Sequence, residues 1–107
     1  MEFLQTLEVM TEAINNYSQF SPNQRKVLIT LLSVSVNNQA QITINDINQL
    51  TGVTRATIST ALSLFNENGF IQMQKTKGNR FTGCALNQDK FNEIVLHYQA
   101  RQRLVKK

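Results

Sequence analysis

Asn45-Asp46-Ile47-Asn48-Gln49-Leu50-Thr51-Gly52-Val53-Thr54-Arg55-Ala56-Thr57-Ile58-Ser59-Thr60-Ala61-Leu62 reads as a helix, a tight glycine turn and a second helix. Asn45 is suited to cap the first helix, with Asp46 favourable beside its positive end. Ile47 and Leu50 then point to one side. Gly52 stands where a chain leaving a helix often takes the left-handed backbone conformation that glycine adopts cheaply. Val53 is placed to fill the space between the helices, and Thr54 to cap the second. Ile58, Ala61, Leu62 and Phe65 recur at helical spacing and define a buried face. Arg55, Ala56, Thr57, Ser59, Thr60 and Ser63 are left facing outward. A helix that presents small and hydroxylated side chains with one arginine fits a groove about 12 Å wide in duplex DNA. A plain helical hairpin within a core is the competing reading of these residues alone.

The pattern extends past the second helix. Leu64-Phe65-Asn66-Glu67-Asn68-Gly69-Phe70-Ile71 reads as a helix end leading into a strand. Together these segments resemble the helix-turn-helix and first wing strand of winged-helix DNA-binding proteins. One residue departs from that pattern. Asn48 lies four positions before Gly52, where such motifs usually carry alanine, so its amide must point outward or find hydrogen bonds.

Working outward toward the N-terminus, residues from about Glu2 to Tyr17 read as an amphipathic helix. Phe3, Leu7, Met10, Ile14 and Tyr17 form a seam with coiled-coil-like spacing, widened by Leu4. That seam suits either the protein's own core or a second subunit. Ser21-Pro22-Asn23-Gln24 carries a capping box with proline at the first helical position, and the helix it starts runs to about Val36. Val27, Leu28, Ile29, Leu31 and Leu32 cover most of its circumference, so it belongs at the centre of the core. Arg25 and Lys26 in its first turn read as surface charge, with contact to a phosphate as the alternative. Asn37 to Gln41 is expected to be a loop, and Ile42-Thr43-Ile44 a short strand. In the winged-helix pattern such a strand precedes the motif and pairs with the wing.

Toward the C-terminus, Phe70 to Lys75 alternates as a half-buried strand, and Phe81 to Leu86 returns. The turn between them, Thr76-Lys77-Gly78-Asn79-Arg80, joins two cations to residues that tolerate unusual backbone angles. Gly83 marks a bulge or bend. Asn87 is expected to cap a last helix striped by Phe91, Ile94, Val95, Tyr98 and Val105, with Asp89 near its start and Lys106 and Lys107 near its end.

The chain is therefore expected to be a mainly α domain with a small β-hairpin, spanning residues 1–107. Residues 45–69 form the helix-turn-helix and 70–86 the wing. Residues 1–17 and 88–107 are terminal helices added to the core. Resemblance to dimeric winged-helix regulators, the MarR family among them, implies that these helices build a homodimer. The residues it implicates are Phe3, Leu7, Met10, Ile14, Phe91, Ile94, Val95 and Tyr98.

Charge and composition narrow the function. The net charge is +4. The first twenty residues hold Glu2, Glu8 and Glu12 and no cation, whereas Arg55, Lys75, Lys77 and Arg80 cluster in and after the motif. A polyanionic partner fits that distribution. No apolar run approaches membrane-spanning length, and the N-terminus lacks a basic start before its apolar residues. A single cysteine, Cys84, leaves no internal disulfide or multi-cysteine zinc site. These features point to the cytoplasm. His97 is the only histidine. A dyad with Cys84 is the sole nucleophilic pairing on offer, and no glycine-rich phosphate loop or metal-ligand spacing appears. Neither an enzyme nor a cofactor is expected.

The expected function is sequence-specific binding of double-stranded DNA by a homodimer, most simply as a transcriptional repressor reading an inverted repeat. Thr54 and Thr57, with the nearby amides, would hold phosphate, and Arg55 would read guanine. Ala56 would meet a thymine methyl, and Ser59, Thr60 and Ser63 would touch phosphate or base edges. Lys75, Lys77, Asn79 and Arg80 would bring the wing onto the backbone or minor groove. A plasmid or phage replication or copy-control protein is the alternative, in keeping with the dispersed Asn and Gln of an A+T-rich coding bias. A winged-helix module that binds only proteins would instead show apolar or acidic residues on these surfaces.

Overall fold

The computed structural model describes residues 7–76, 78 and 80–105. Five helices and three strands follow in the order α1 (Leu7–Asn15), α2 (Pro22–Val34), β1 (Gln39–Gln41), α3 (Ile44–Thr51), α4 (Arg55–Glu67), β2 (Ile71–Lys75), β3 (Phe81–Leu86) and α5 (Gln88–Val105). The strands form one antiparallel sheet in the order β1-β3-β2. This is the winged helix-turn-helix architecture, with terminal helices α1 and α5 packed on each other. Phe3, Leu4, Lys77, Asn79, Lys106 and Lys107 lie outside the described residues.

Helix α2 begins as its sequence dictates. Ser21 accepts from the Gln24 amide, and the Gln24 side chain accepts in return from the Ser21 amide. Val27, Leu28, Leu31 and Leu32 are buried, so α2 is the central post of the core. Arg25 is not idle surface charge. Its Nε and Nη2 both donate to the Tyr17 carbonyl, at 3.2 and 3.0 Å, and so tie the start of α2 to the end of α1.

The strand before the motif lies three residues earlier than its β-branched residues suggest. Asn37 and Asn38 both take positive φ, 54° and 63°. They form the two central residues of a tight turn closed by reciprocal Val36–Gln39 backbone bonds, the geometry that Asn tolerates best after Gly. Gln39 then enters the sheet at once, and Ala40 is buried opposite Cys84. Thr43 is consequently free to cap α3. It accepts from the Asp46 amide while the Asp46 carboxylate accepts from the Thr43 amide. The cap is therefore Thr43, not Asn45, and two reciprocal bonds outweigh the single one available to Asn45.

Within the sheet, the β2–β3 ladder slips by one residue. Gln74 opposes Gly83, while Lys75 opposes Phe81. Gly83 takes φ +155°, and a Cβ there would collide with the Ala40 carbonyl oxygen. Glycine thus does two things here: it accommodates the bulge, and it lets β1 approach the wing. Phe20, Phe65, Phe70 and Phe91 pack edge-to-face, with centroid separations of 5.3 Å for Phe20–Phe65 and 6.4 Å for Phe70–Phe91. This cluster ties the end of α4 to the start of the wing and to α5.

The seam of the terminal helices serves the protein's own core. Met10 and Ile14 of α1, and Phe91, Ile94 and Val95 of α5, are all buried. Their expected role as a dimer surface is corrected accordingly, because these side chains are already covered within one chain. Tyr98 is half-buried, and its hydroxyl lies 2.8 Å from Glu12 Oε1, joining α5 to α1. Among the described side chains of the two helices, Leu7 and Leu96 are the large apolar ones that remain exposed, at 49% and 61%.

Two glycines give a ranked test. Gly52, with φ +75°, has open space where a methyl group would stand, so Gly52→Ala meets backbone strain alone, about 1–2 kcal/mol. Gly83→Ala must also displace the β1 carbonyl and is expected to cost more. Urea unfolding of the two variants should show this order, and equal midpoints would contradict the close approach of β1.

Candidate nucleic-acid interface

The turn between α3 and α4 occupies Gly52 to Thr54. Gly52 closes α3 in the left-handed conformation, its amide donating to the Asn48 carbonyl at 2.8 Å. Asn48 itself turns inward to the turn. Its Nδ2 donates to the Val53 carbonyl, also at 2.8 Å, so the amide that departs from the usual alanine holds the far side of the turn. Thr51 Oγ1 donates to the Ile47 carbonyl and accepts from the Val53 amide. Val53 is buried beneath this network. The angle between the helices is thus set by hydrogen bonds from two side chains as well as by packing.

Helix α4 emerges with Thr54 as its cap. Thr54 Oγ1 accepts from the Thr57 amide at 3.3 Å and pairs with Thr57 Oγ1 at 2.9 Å. Ile58, Ala61, Leu62 and Phe65 are buried as their spacing requires. Arg55, Ala56, Ser59, Thr60 and Ser63 are exposed, and Thr57 is half-buried. Thr60 Oγ1 donates to the Ala56 carbonyl at 3.0 Å, a bond that leaves its lone pairs facing outward.

The wing stands beside this face. Asn66 near the end of α4 accepts from the Met73 amide of β2 at 3.0 Å, which fixes the hairpin against the helix. The Thr76 amide donates to the Arg80 carbonyl at 3.0 Å and closes the described base of the wing turn. Lys75 and Arg80 are exposed. A cleft of about 910 Å³ opens between the start of α3, the outer face of α4 and the wing, lined among others by Asn45, Arg55, Ala56, Ser59, Thr76 and Arg80. The structure therefore gathers Arg55, Ala56, Ser59 and Arg80 around one concavity. Thr57 and Thr60 instead line a neighbouring groove with Ser21 and Asn23 at the start of α2. Lys77 and Asn79 fall outside the described residues.

Asn45 was not legible as part of this surface. Its Oδ1 accepts from Arg55 Nη2 at 2.6 Å, across the turn. The signal that could have revealed it is the Thr43–Asp46 capping box, which frees Asn45 from capping and turns it toward the next helix.

Cys84 and His97 stand in different surroundings. Cys84 is enclosed in the core, and burial pushes its thiol up to about 11. His97 is exposed and stacks its ring edgewise on Tyr17 at 5.8 Å. Among the described residues, no cluster of three His, Cys, Asp or Glu side chains is placed to hold a metal ion. No described helix is long and apolar enough to cross a membrane.

By sequence, the chain matches no protein-family model and no curated protein. By structure it is similar to several solved proteins. The ST1889 protein of the thermoacidophilic archaeon Sulfolobus tokodaii superposes with a TM-score of 0.63 at 16% identity, over 96% of this chain and 100% of that one. MepR, a transcription regulator of the Staphylococcus aureus multidrug efflux pump MepA, gives 0.59 at 20% identity, over 92% and 74%. TrmBL2, an archaeal chromatin protein, gives 0.56 at 13% identity over 92% of this chain and 35% of its own, so the present chain spans about a third of it. At these identities the likeness is one of fold.

The Cys84 thiol gives a check on the core. A native protein should leave Cys84 unlabelled by an aromatic disulfide reagent at pH 8 and label one thiol per chain once unfolded. Because the folded pKa is raised, the folded chain holds this proton longer than the unfolded chain does. The stability linked to it is intact below the ordinary thiol value and fades as pH rises from there toward about 11.

Proposed function

We propose that this chain is a sequence-specific, double-stranded-DNA-binding protein that works as a homodimeric transcriptional repressor in the cytoplasm, without enzymatic activity or a cofactor. One observation carries the reading: the exposed face of α4 is small, hydroxylated and marked by one arginine, and it shares a cleft with a cationic wing. Solved proteins of the same fold described as transcription regulators, and a chromatin protein whose description includes DNA binding, support it.

On this reading α4 enters the major groove with its N-terminus toward the DNA backbone. The Thr54 cap and the first amides of α4 bind phosphate, as helix N-termini do. Arg55 bonds two acceptors of a guanine at once, and Ala56 meets a thymine methyl. Ser59 and Ser63 lie farther along the same face, within reach of phosphate or base edges. Thr60 and Thr57, beside the start of α2, suit the flanking backbone. Lys75 and Arg80, with Lys77 and Asn79, bring the wing to the adjoining backbone or minor groove. Repression follows from occupying a promoter, since no separate sensing domain is needed for that.

For the dimer, Leu7 and Leu96 are, among the described side chains, exposed apolar groups that the terminal helices offer a second copy. Two copies related by a two-fold axis would read half-sites about one helical turn apart.

Selection from a random duplex pool tests the reading, and an inverted-repeat consensus is the expected outcome. On the selected duplex, Arg55→Ala should lose ~1–3 kcal/mol concentrated at one base pair. Arg80→Ala should weaken all sequences alike and reduce the slope of log affinity against log salt by about 0.9 for each phosphate it no longer neutralises. An unchanged slope would remove Arg80 from the backbone contact.

A further inference from the structure

We infer that Asn45 is a specificity-determining residue of the DNA interface, a positioning residue that holds one Nη2 hydrogen of Arg55 and so fixes which edge of the guanidinium is offered to a base. The inference rests on the reading of α4 as a DNA-recognition helix and adds a second residue, on α3, to what it reads.

The chemistry follows from how an arginine recognises guanine. Bidentate contact with O6 and N7 needs two N–H groups side by side. A guanidinium has two such forks that use Nη2. One pairs Nη2 with Nε, and the other pairs Nη2 with Nη1. Each takes one of the two Nη2 hydrogens. Asn45 Oδ1 lies 2.6 Å from Arg55 Nη2 and accepts one of those hydrogens. Whichever it takes, that fork loses a donor, and the other remains whole. An arginine free to turn can offer either fork to guanine, or a single donor to any phosphate. An arginine held by Asn45 offers one fork in one direction.

Side-chain entropy favours the same arrangement. A free arginine side chain carries rotamer freedom that must be surrendered on binding, and a pre-organised one surrenders less. Arg55 is exposed, so no packing immobilises it. Asn45 is its polar partner across the helix-turn-helix, and both residues line the same cleft with Ala56 and Ser59. Asn45 has no competing structural duty that would explain its type. The α3 cap belongs to Thr43 and Asp46. Asn45 Nδ2 makes no hydrogen bond among the described residues, and the side chain is exposed.

The test compares the wild-type protein with N45A, N45D, R55A and the N45A/R55A double variant, each put through selection from the random duplex pool and then measured on duplexes substituted at single base pairs. N45A is expected to relax discrimination at the base pair that R55A abolishes, by roughly 5-fold or more, and to leave other positions alone. The double variant is expected to match R55A at that pair. N45D keeps an acceptor for Nη2, so its base preference is expected to survive while its affinity for every duplex falls through repulsion of phosphate. In the free protein, the guanidinium nitrogen resonances of Arg55 should show hindered rotation that N45A releases. Unaltered discrimination in N45A would overturn the role of Asn45, as would an N45A effect that persists without Arg55 or a uniform loss on all duplexes. If the wild-type protein selects no consensus, the DNA reading itself fails and the specificity role with it.

Discussion

The surface that faces outward depends on how four residues, Thr51 to Thr54, turn the chain between two helices. A helix end leaves carbonyls unpaired and a helix start leaves amides unpaired, and this turn places both within one short, half-buried segment. Each is answered. The Gly52 amide bonds back to Asn48, the Val53 amide to Thr51 Oγ1, and the Val53 carbonyl to the Asn48 amide, while Thr54 caps α4. Val53 fills the space that these bonds enclose. An alanine at position 48 would leave the Val53 carbonyl to find water or another donor. In this chain the Asn48 amide and the Thr51 hydroxyl add directional bonds to the packing of Val53, and together they set the inter-helix angle.

From that fixed angle the rest of the candidate interface follows in sequence. Helix α4 is oriented by its buried stripe against α2 and α3. Phe65 at its far end joins Phe20 and Phe70 in the edge-to-face cluster, so the helix and the wing share a foundation. Asn66 adds a hydrogen bond to the Met73 amide. The wing is held from its other side by β1, which approaches closely because position 83 has no side chain. Lys75 and Arg80 of the wing and the hydroxyls of α4 therefore share one hydrogen-bonded and packed frame. Preorganisation of this kind favours selective contact, because less freedom is lost on binding.

Much of this was legible from residue pattern, and the exceptions have physical causes. The capping box of α2, the positive φ of Gly52, the Thr54 cap and the buried stripe of α4 follow local rules that the fold obeys. The strand before α3 did not follow its β-branched residues. The Asn37-Asn38 turn set the register instead, and Thr43 was worth more as a cap than as a strand residue. The terminal helices show the other kind of difficulty. A seam such as Met10–Ile14, or Phe91–Ile94–Val95, announces that it will be covered without saying by what, and here the cover is its own chain. At the interface, the outward-facing residues of α4 could be named from helical spacing. The Asn45–Arg55 bond could not, since it joins side chains ten positions apart across a turn whose angle has to be known first.

Amide chemical-shift mapping during titration with a duplex of about 20 base pairs, a length that spans two half-sites one helical turn apart, tests the central claim most directly. The largest changes are expected on Thr54 to Ser63 and on Lys75 to Arg80, shrinking as salt is raised, with the buried centre of α2 unmoved. Changes confined to α1 and α5, or none on α4 at low salt, would contradict a DNA-reading role for this face.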